Sequence, residues 1–142
     1  LWVSTFHSTC CRILRTDIEA LGFTRKFAIY DDDDQLRLIK GIVATAGYDA
    51  ERVEAKEIAS RIDHYKNRML GPDEVLAERR THQGDPLIRL WREYDEAMRA
   101  ADALDFNDLI GKVVQLFQQE PEIRAYFAAS PRDFGEPACR PG

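Results

Sequence analysis

The chain has 142 residues, enough for one ordinary domain with a core but not for several. Its 44% hydrophobic content excludes an intrinsically disordered chain, and 8 Gly with 6 Pro exclude a collagen-like or low-complexity one. A net charge of −5, from 20 Lys and Arg against 25 Asp and Glu, does not mark a nucleic-acid binder by bulk electrostatics. No apolar run approaches the roughly 20 residues of a membrane-spanning helix. A secretory leader is not visible either, and the first residue is Leu1 rather than Met, so an excised piece of a cytoplasmic protein without a membrane partner is expected. Charge alternates along the chain: residues 1–30 and 61–92 are mildly basic, residues 31–60 and 93–130 acidic. One positive face is compatible with that pattern, although on charge alone a solvated surface is the better reading.

Trp2-Val3-Ser4-Thr5 reads as the end of a strand, with Thr5 or Ser8 capping a helix that runs to Leu21 and stops at Gly22. Phe27–Tyr30 forms a β-like patch. The run Asp31–Asp34 caps the next helix, whose stripe is Leu36, Ile39, Val43 and Ala46, ended by Gly47. Ile58, Ile62, Tyr65 and Met69 make a further stripe, ended by Leu70-Gly71-Pro72. Pro72 opens a short helix to about Gln83, stopped by Gly84. Asp85-Pro86 opens the helix carrying Leu87, Leu90, Trp91, Tyr94 and Met98. Asp105 opens another, with Phe106, Leu109, Ile110, Val113 and Phe117 on one face until Pro121, and residues 122–129 add a last turn or two. Residues 130–142 have no period and are expected to be disordered. The predicted fold is all-α, with any strand confined to residues 2–5 and 27–30.

Chemistry is sparse. Without a GxxxxGK[ST] loop, backbone N–H groups and a Lys cannot converge on a nucleotide phosphate, so no ATP hydrolysis by this chain is expected. Asp31–Asp34 lack the spacing of a calcium loop, and Asp105 with Asp108 are explained by capping more simply than by acid–base work. Cys10, Cys11 and Cys139, with His7, His64 and His82, show no zinc spacing, so the metal and catalytic sets are empty. Thr5-Phe6-His7-Ser8 is the most informative tetrad. At a strand-to-helix junction its hydroxyls, imidazole and ring would suit a phosphate–sugar backbone with a base stacked on Phe6, although from the residues alone Phe6 as ordinary core is the preferred reading. Arg61, Lys66 and Arg68 supply cations on the Ile58–Met69 helix, Arg61 and Arg68 sharing a face at i, i+7.

Four segments in order resemble the UvrD/Rep/PcrA-type superfamily 1 DNA helicases. Val3–Arg15 resembles "TFHS…C.RILR"; Phe27–Asp31 with Asp34-Gln35-Leu36 resembles "F.I.D..DQ"; Ile62, Lys66-Asn67 and Leu70-Gly71-Pro72 resemble "I…KN..L.P"; Leu104–Ile110 with Leu116-Phe117 and Pro121 resembles "LDFDDLI…LF…P", with Asn107 in place of an Asp. The resemblance implies a parent that is an ATP- and Mg-dependent motor moving 3′ to 5′ on single-stranded DNA in unwinding and repair. It implies an irregular multi-helix bundle, the inserted 1B subdomain, over residues 15–103. Residues 1–14 and 104–129 would then be flanking pieces of a RecA-like motor domain, and 130–142 a tail outside the family pattern. The family's DExxQD box has no counterpart here, so the chain is expected to hold no cofactor and to be inactive alone. The implied DNA-contacting set is Thr5, Phe6, His7, Ser8, Arg61, Lys66, Asn67 and Arg68. The expected partners are single-stranded and duplex DNA, bound weakly and without sequence preference, and the rest of the motor. The stripe of residues 105–117, deprived of its sheet, would fold back onto the helix of residues 8–21 or form a homodimer. A helical protein–protein interaction module without DNA binding is the alternative function.

Overall fold

Glycine stops and aspartate caps set several of the helix ends. The computed structural model describes residues 2–78, 81–82 and 84–129, with side chains from His7 onward. Its elements are α1 (Trp2–Asp17) continued by a 3-10 turn (Ile18–Leu21), β1 (Ala28–Tyr30), α2 (Asp32–Thr45), α3 (Ala55–Lys66), α4 (Pro72–Ala77), α5 (Leu87–Ala100), β2 (Ala103–Asp105), α6 (Phe106–Gln119) and α7 (Pro121–Ala129). Gly22, Gly47 and Gly84 all take the left-handed backbone that a side chain would oppose, each just past a helix or before the next. Asp31 and Asp105 each accept from the backbone N–H three residues on, while Asp34 and Asp108 accept from the cap's own N–H. These are two reciprocal capping boxes with Asp at both positions, which accounts for the acidic runs without any metal.

The chain forms two compact units, residues 1–29 with 102–142 and residues 30–101. In the first, α1 packs against α6, and α6 against α7 and β2. Its core holds Cys10, Cys11, Ile13, Leu14, Ile18, Phe23, Phe27, Ile29, Leu104, Leu109, Val113, Leu116 and Phe127. Of the two fates expected for the 105–117 stripe, folding back onto α1 is the one observed within the chain. Leu109 and Val113 are buried, and Phe106, Ile110 and Phe117 are half-buried. In the second unit, α2, α3 and α5 pack pairwise and α4 lies on α5. All five stripe residues of α5, Leu87, Leu90, Trp91, Tyr94 and Met98, are buried, as the spacing predicts.

Several expectations are corrected. Trp2–Thr5 is the first turn of α1, not a strand. A strand needs a lateral partner for its N–H and C=O groups, whereas a helix satisfies them within the segment. A second strand, β2, lies at Ala103–Asp105 and pairs with β1 in a two-stranded parallel sheet, so the fold is mostly α rather than all-α. Three residues are too few for a period-2 pattern to register, and Asp105 reads simply as a cap. The two compact units divide at 29/30 and 101/102, and Ile18, Phe23, Phe27 and Ile29 belong to the core of the unit that holds α1 and α6. α3 ends at Lys66, which leaves Met69 outside the helix and 51% exposed. α4 ends at Ala77 rather than near Gln83, which lies outside the described residues, as does the 130–142 tail. Among the described residues no helix is long and apolar enough to cross a membrane.

Candidate nucleic-acid interface

The eight candidate residues fall into two groups, one in each unit, and each group is described within its own unit. Thr5, Phe6, His7 and Ser8 lie on successive positions of α1. The side chains of Thr5 and Phe6 lie outside the described residues. His7 is half-buried, its ring 5.6 Å from that of Phe106 at the start of α6, and Ser8 is half-buried beside it. The expected junction, with unused N–H groups facing outward, is absent. From Phe6 onward the amides lie past the first turn of α1, where they bond to carbonyls of the same helix. Three residues on, burial pushes the Cys10 thiol up to about 11, which leaves it inert rather than nucleophilic.

The second group surrounds the end of α3. Arg61 makes a two-pronged pair with Asp85, at 3.0 Å from Nη1 to Oδ1 and 2.5 Å from Nη2 to Oδ2. The Asp85 side chain is only 2% exposed, and its Oδ1 also accepts from the Leu87 N–H at the start of α5. The Arg61 hydrogen bonds hold the Asp85 carboxyl below its ordinary value against the opposing effect of burial. The same bonds raise Arg61. The guanidinium therefore joins α3 to the start of α5, and its donor fork is directed at Asp85 rather than outward.

Lys66, Asn67 and Arg68 follow on the other side of the last turn. Lys66 is half-buried with Nζ 5.3 Å from the centre of the Tyr94 ring, a cation–π contact that fixes the ammonium at the helix end. Asn67 caps α3, its N–H bonding to the Asp63 carbonyl, and its side chain is exposed, as is that of Arg68. Since α3 stops at Lys66, Arg61 and Arg68 do not share a helix face. Beneath this turn Tyr65 stacks nearly parallel on Trp91 at 6.1 Å. Gln35 is buried and donates to Asp63 Oδ1 at 2.9 Å. A cationic, amide-bearing corner thus stands on a well-packed base.

Three features of these groups escape the sequence. One is the Arg61–Asp85 pair, for which Asp85 before a helix start is the single hint. Another is the left-handed turn at Met69, for which no Gly stands as a signal. The third lies in the flanking unit. There Arg15 sits 3.8 Å over the Phe27 ring and donates to the Arg25 carbonyl, while Asp102 accepts from both the N–H and the hydroxyl of Thr24. Among the described residues no group of three or more His, Cys, Asp or Glu side chains is placed to hold a metal ion.

Comparison with known proteins follows the same outline. The family described as the UvrD/REP helicase N-terminal domain matches residues 1–132. The "ATP-dependent DNA helicase UvrD1" of Mycobacterium tuberculosis (strain H37Rv) is 41% identical over 132 residues, which is 89% of this chain and 17% of the relative. The "ATP-dependent DNA helicase PcrA" of Bacillus subtilis (strain 168) is 34% identical over 127 residues, again 89% of this chain and 17% of the relative. The corresponding protein of Staphylococcus aureus (strain NCTC 8325) is 32% identical with the same coverage. The chain thus spans about a sixth of the length of these relatives.

Proposed function

Because this chain belongs to the UvrD/REP helicase N-terminal domain family, we propose that it is a DNA-contacting accessory part of a cytoplasmic, 3′–5′ ATP-dependent DNA helicase that acts in unwinding and repair. Residues 30–101 are the inserted helical 1B-like subdomain, and the flanking unit belongs to the motor domain. The observation that carries this reading is the Lys66-Asn67-Arg68 corner at the packed end of α3, where Asn67 and Arg68 are exposed and Lys66 is half-buried against Tyr94. A lysine and an arginine beside an exposed amide fit phosphate oxygens and carry no base information, so binding is weak and independent of sequence. Arg61 serves this site by positioning the helix that bears it. His7 and Ser8, with Thr5 and Phe6, form a second contact that depends on the rest of the motor.

The nucleotide chemistry of the parent does not reside here. The chain has no Gly-rich loop with a following Lys, and its acidic pairs are occupied as helix caps. The net charge of −5 favours a second reading, a helical protein–protein interaction module.

A salt-dependent titration with labelled single-stranded DNA separates the two readings. DNA contact predicts that affinity falls steadily as salt rises, because phosphate contacts release counterions. Lys66→Ala should weaken all sequences about equally and lower the salt slope by about one. Unchanged single-strand and duplex affinity at low salt in Lys66→Ala would move the interaction module ahead.

A further inference from the structure

Two non-glycine residues among those described have left-handed backbone, Asp102 at φ 52° and Met69 at φ 61°. Such a conformation presses Cβ toward the following carbonyl oxygen and is disfavoured for any L side chain. At Asp102 the cause is visible, since its carboxylate accepts twice from Thr24 and Asp tolerates this region better than most residues. Met69 has no comparable return. It is 51% exposed and not among the buried core residues.

The local backbone shows what the position requires. The Leu70 N–H bonds to the Tyr65 carbonyl at 3.0 Å, and the Met69 N–H bonds to that of Lys66 at 2.9 Å. This pair of bonds is the Schellman ending of a helix, with Met69 in the position that glycine favours. Glycine would close the same turn with less strain, and the apolar contact accompanying this motif belongs to the residue after it. The fold therefore needs the backbone of Met69 and not its side chain. The turn holds that side chain outward, next in sequence to the exposed Asn67 and Arg68 and three residues from Lys66.

We propose that Met69 is a base-contacting residue for single-stranded DNA. Its thioether packs on the face of an unstacked nucleobase while Lys66, Asn67 and Arg68 hold the adjoining phosphates. A polarisable sulfur suits a π face, and unstacked bases are what a single strand presents and a closed duplex does not. The inference rests on the DNA-contact reading above and adds to it a preference for single strands.

The test titrates the whole chain with labelled oligothymidylate and with a blunt duplex of equal length, at two salt concentrations. Met69→Gly is expected to weaken single-strand binding about fivefold, leave duplex binding and the salt slope unchanged, and melt no lower than the parent. Met69→Leu, which keeps the apolar surface, should stay within about threefold. Lys66→Ala should weaken both DNA forms and flatten the salt slope. If Met69→Gly binds single strands like the parent while Lys66→Ala does not, the role of Met69 is overturned and the DNA-contact reading stands. Equal weakening of both DNA forms by Met69→Gly also overturns it, because the turn and not the base contact would be responsible. If the parent binds neither form, the DNA-contact reading falls and the Met69 contact with it.

Discussion

Asp85→Ala removes one carboxylate and three hydrogen bonds, two from Arg61 and one from the Leu87 N–H. Losing a helix-start acceptor costs about 1 kcal/mol. Bonds between charged partners contribute about 1.5–3 kcal/mol, and the lower end applies because the Arg61 side chain is 30% exposed and regains water. The expected loss is therefore about 2–3 kcal/mol. Asp85→Asn keeps an oxygen for Leu87 and loses the charge, so it should cost about half as much. For a unit the size of residues 30–101 the alanine variant should melt about 10–20 °C lower. Trp91 reports on this unit, so urea unfolding followed by its fluorescence in a Trp2→Phe background gives the free energy directly. An Asp85→Ala chain within about 0.5 kcal/mol of the parent would refute the assignment of Arg61 as a structural link.

The same pair fixes a pH dependence. The folded chain holds Asp85 deprotonated below the ordinary carboxylate value near 3.9, chiefly through the Arg61 hydrogen bonds. Around pH 4 and below, the unfolded chain binds the proton first, so stability rises with pH there. The contribution is complete above about pH 4 and is lost as pH falls through the lower folded value. The difference between the parent and Asp85→Asn should therefore shrink on acidification, and a constant difference down to pH 2.5 would contradict the mechanism.

Other consequences are independent of this pair. Cys10, with its thiol at about 11, should resist alkylation at pH 8 in the folded chain and react once urea unfolds it, as a timed thiol assay would show. Leu109→Ala, at a position 2% exposed beneath α1, should cost about 2–5 kcal/mol in thermal or urea unfolding of the flanking unit. Met69→Gly should stabilise by about 1 kcal/mol, while Asp102→Gly, which gives up the Thr24 bonds, should not stabilise, and calorimetry of the two variants checks the contrast.

Features settled by neighbours in sequence were legible. A carboxylate three residues before another, at the head of a 3–4-spaced apolar run, lies within reach of the free amides of the first turn, so the boxes at Asp31/Asp34 and Asp105/Asp108 follow from spacing. The stripes of α5 and α6 likewise follow from period alone. Features needing partners far along the chain were not. Arg61 meets Asp85 across 24 positions, and β1 pairs with β2 across the whole intervening helical unit. Arg61 reads as a free cation for the same reason that Ala103–Asp105 shows no strand signal: neither segment carries the residue that completes it.

That distinction shifts weight within the candidate interface. The tetrad Thr5–Ser8 drew its promise from a junction, and a junction exists only where a paired strand precedes the helix. In this structure the backbone there is helical, so the amides from Phe6 onward are satisfied within α1 and are not offered to a phosphate. The α3 turn makes no such demand. Its geometry is closed by Tyr65 and Lys66 carbonyls a few residues away, and its base is packed within one unit by Tyr65 on Trp91. An interface built from local bonds survives separation from the rest of a motor, whereas one built on a distant sheet does not. On the proposed reading, DNA contact by this chain alone would therefore rest on Lys66, Asn67, Arg68 and Met69.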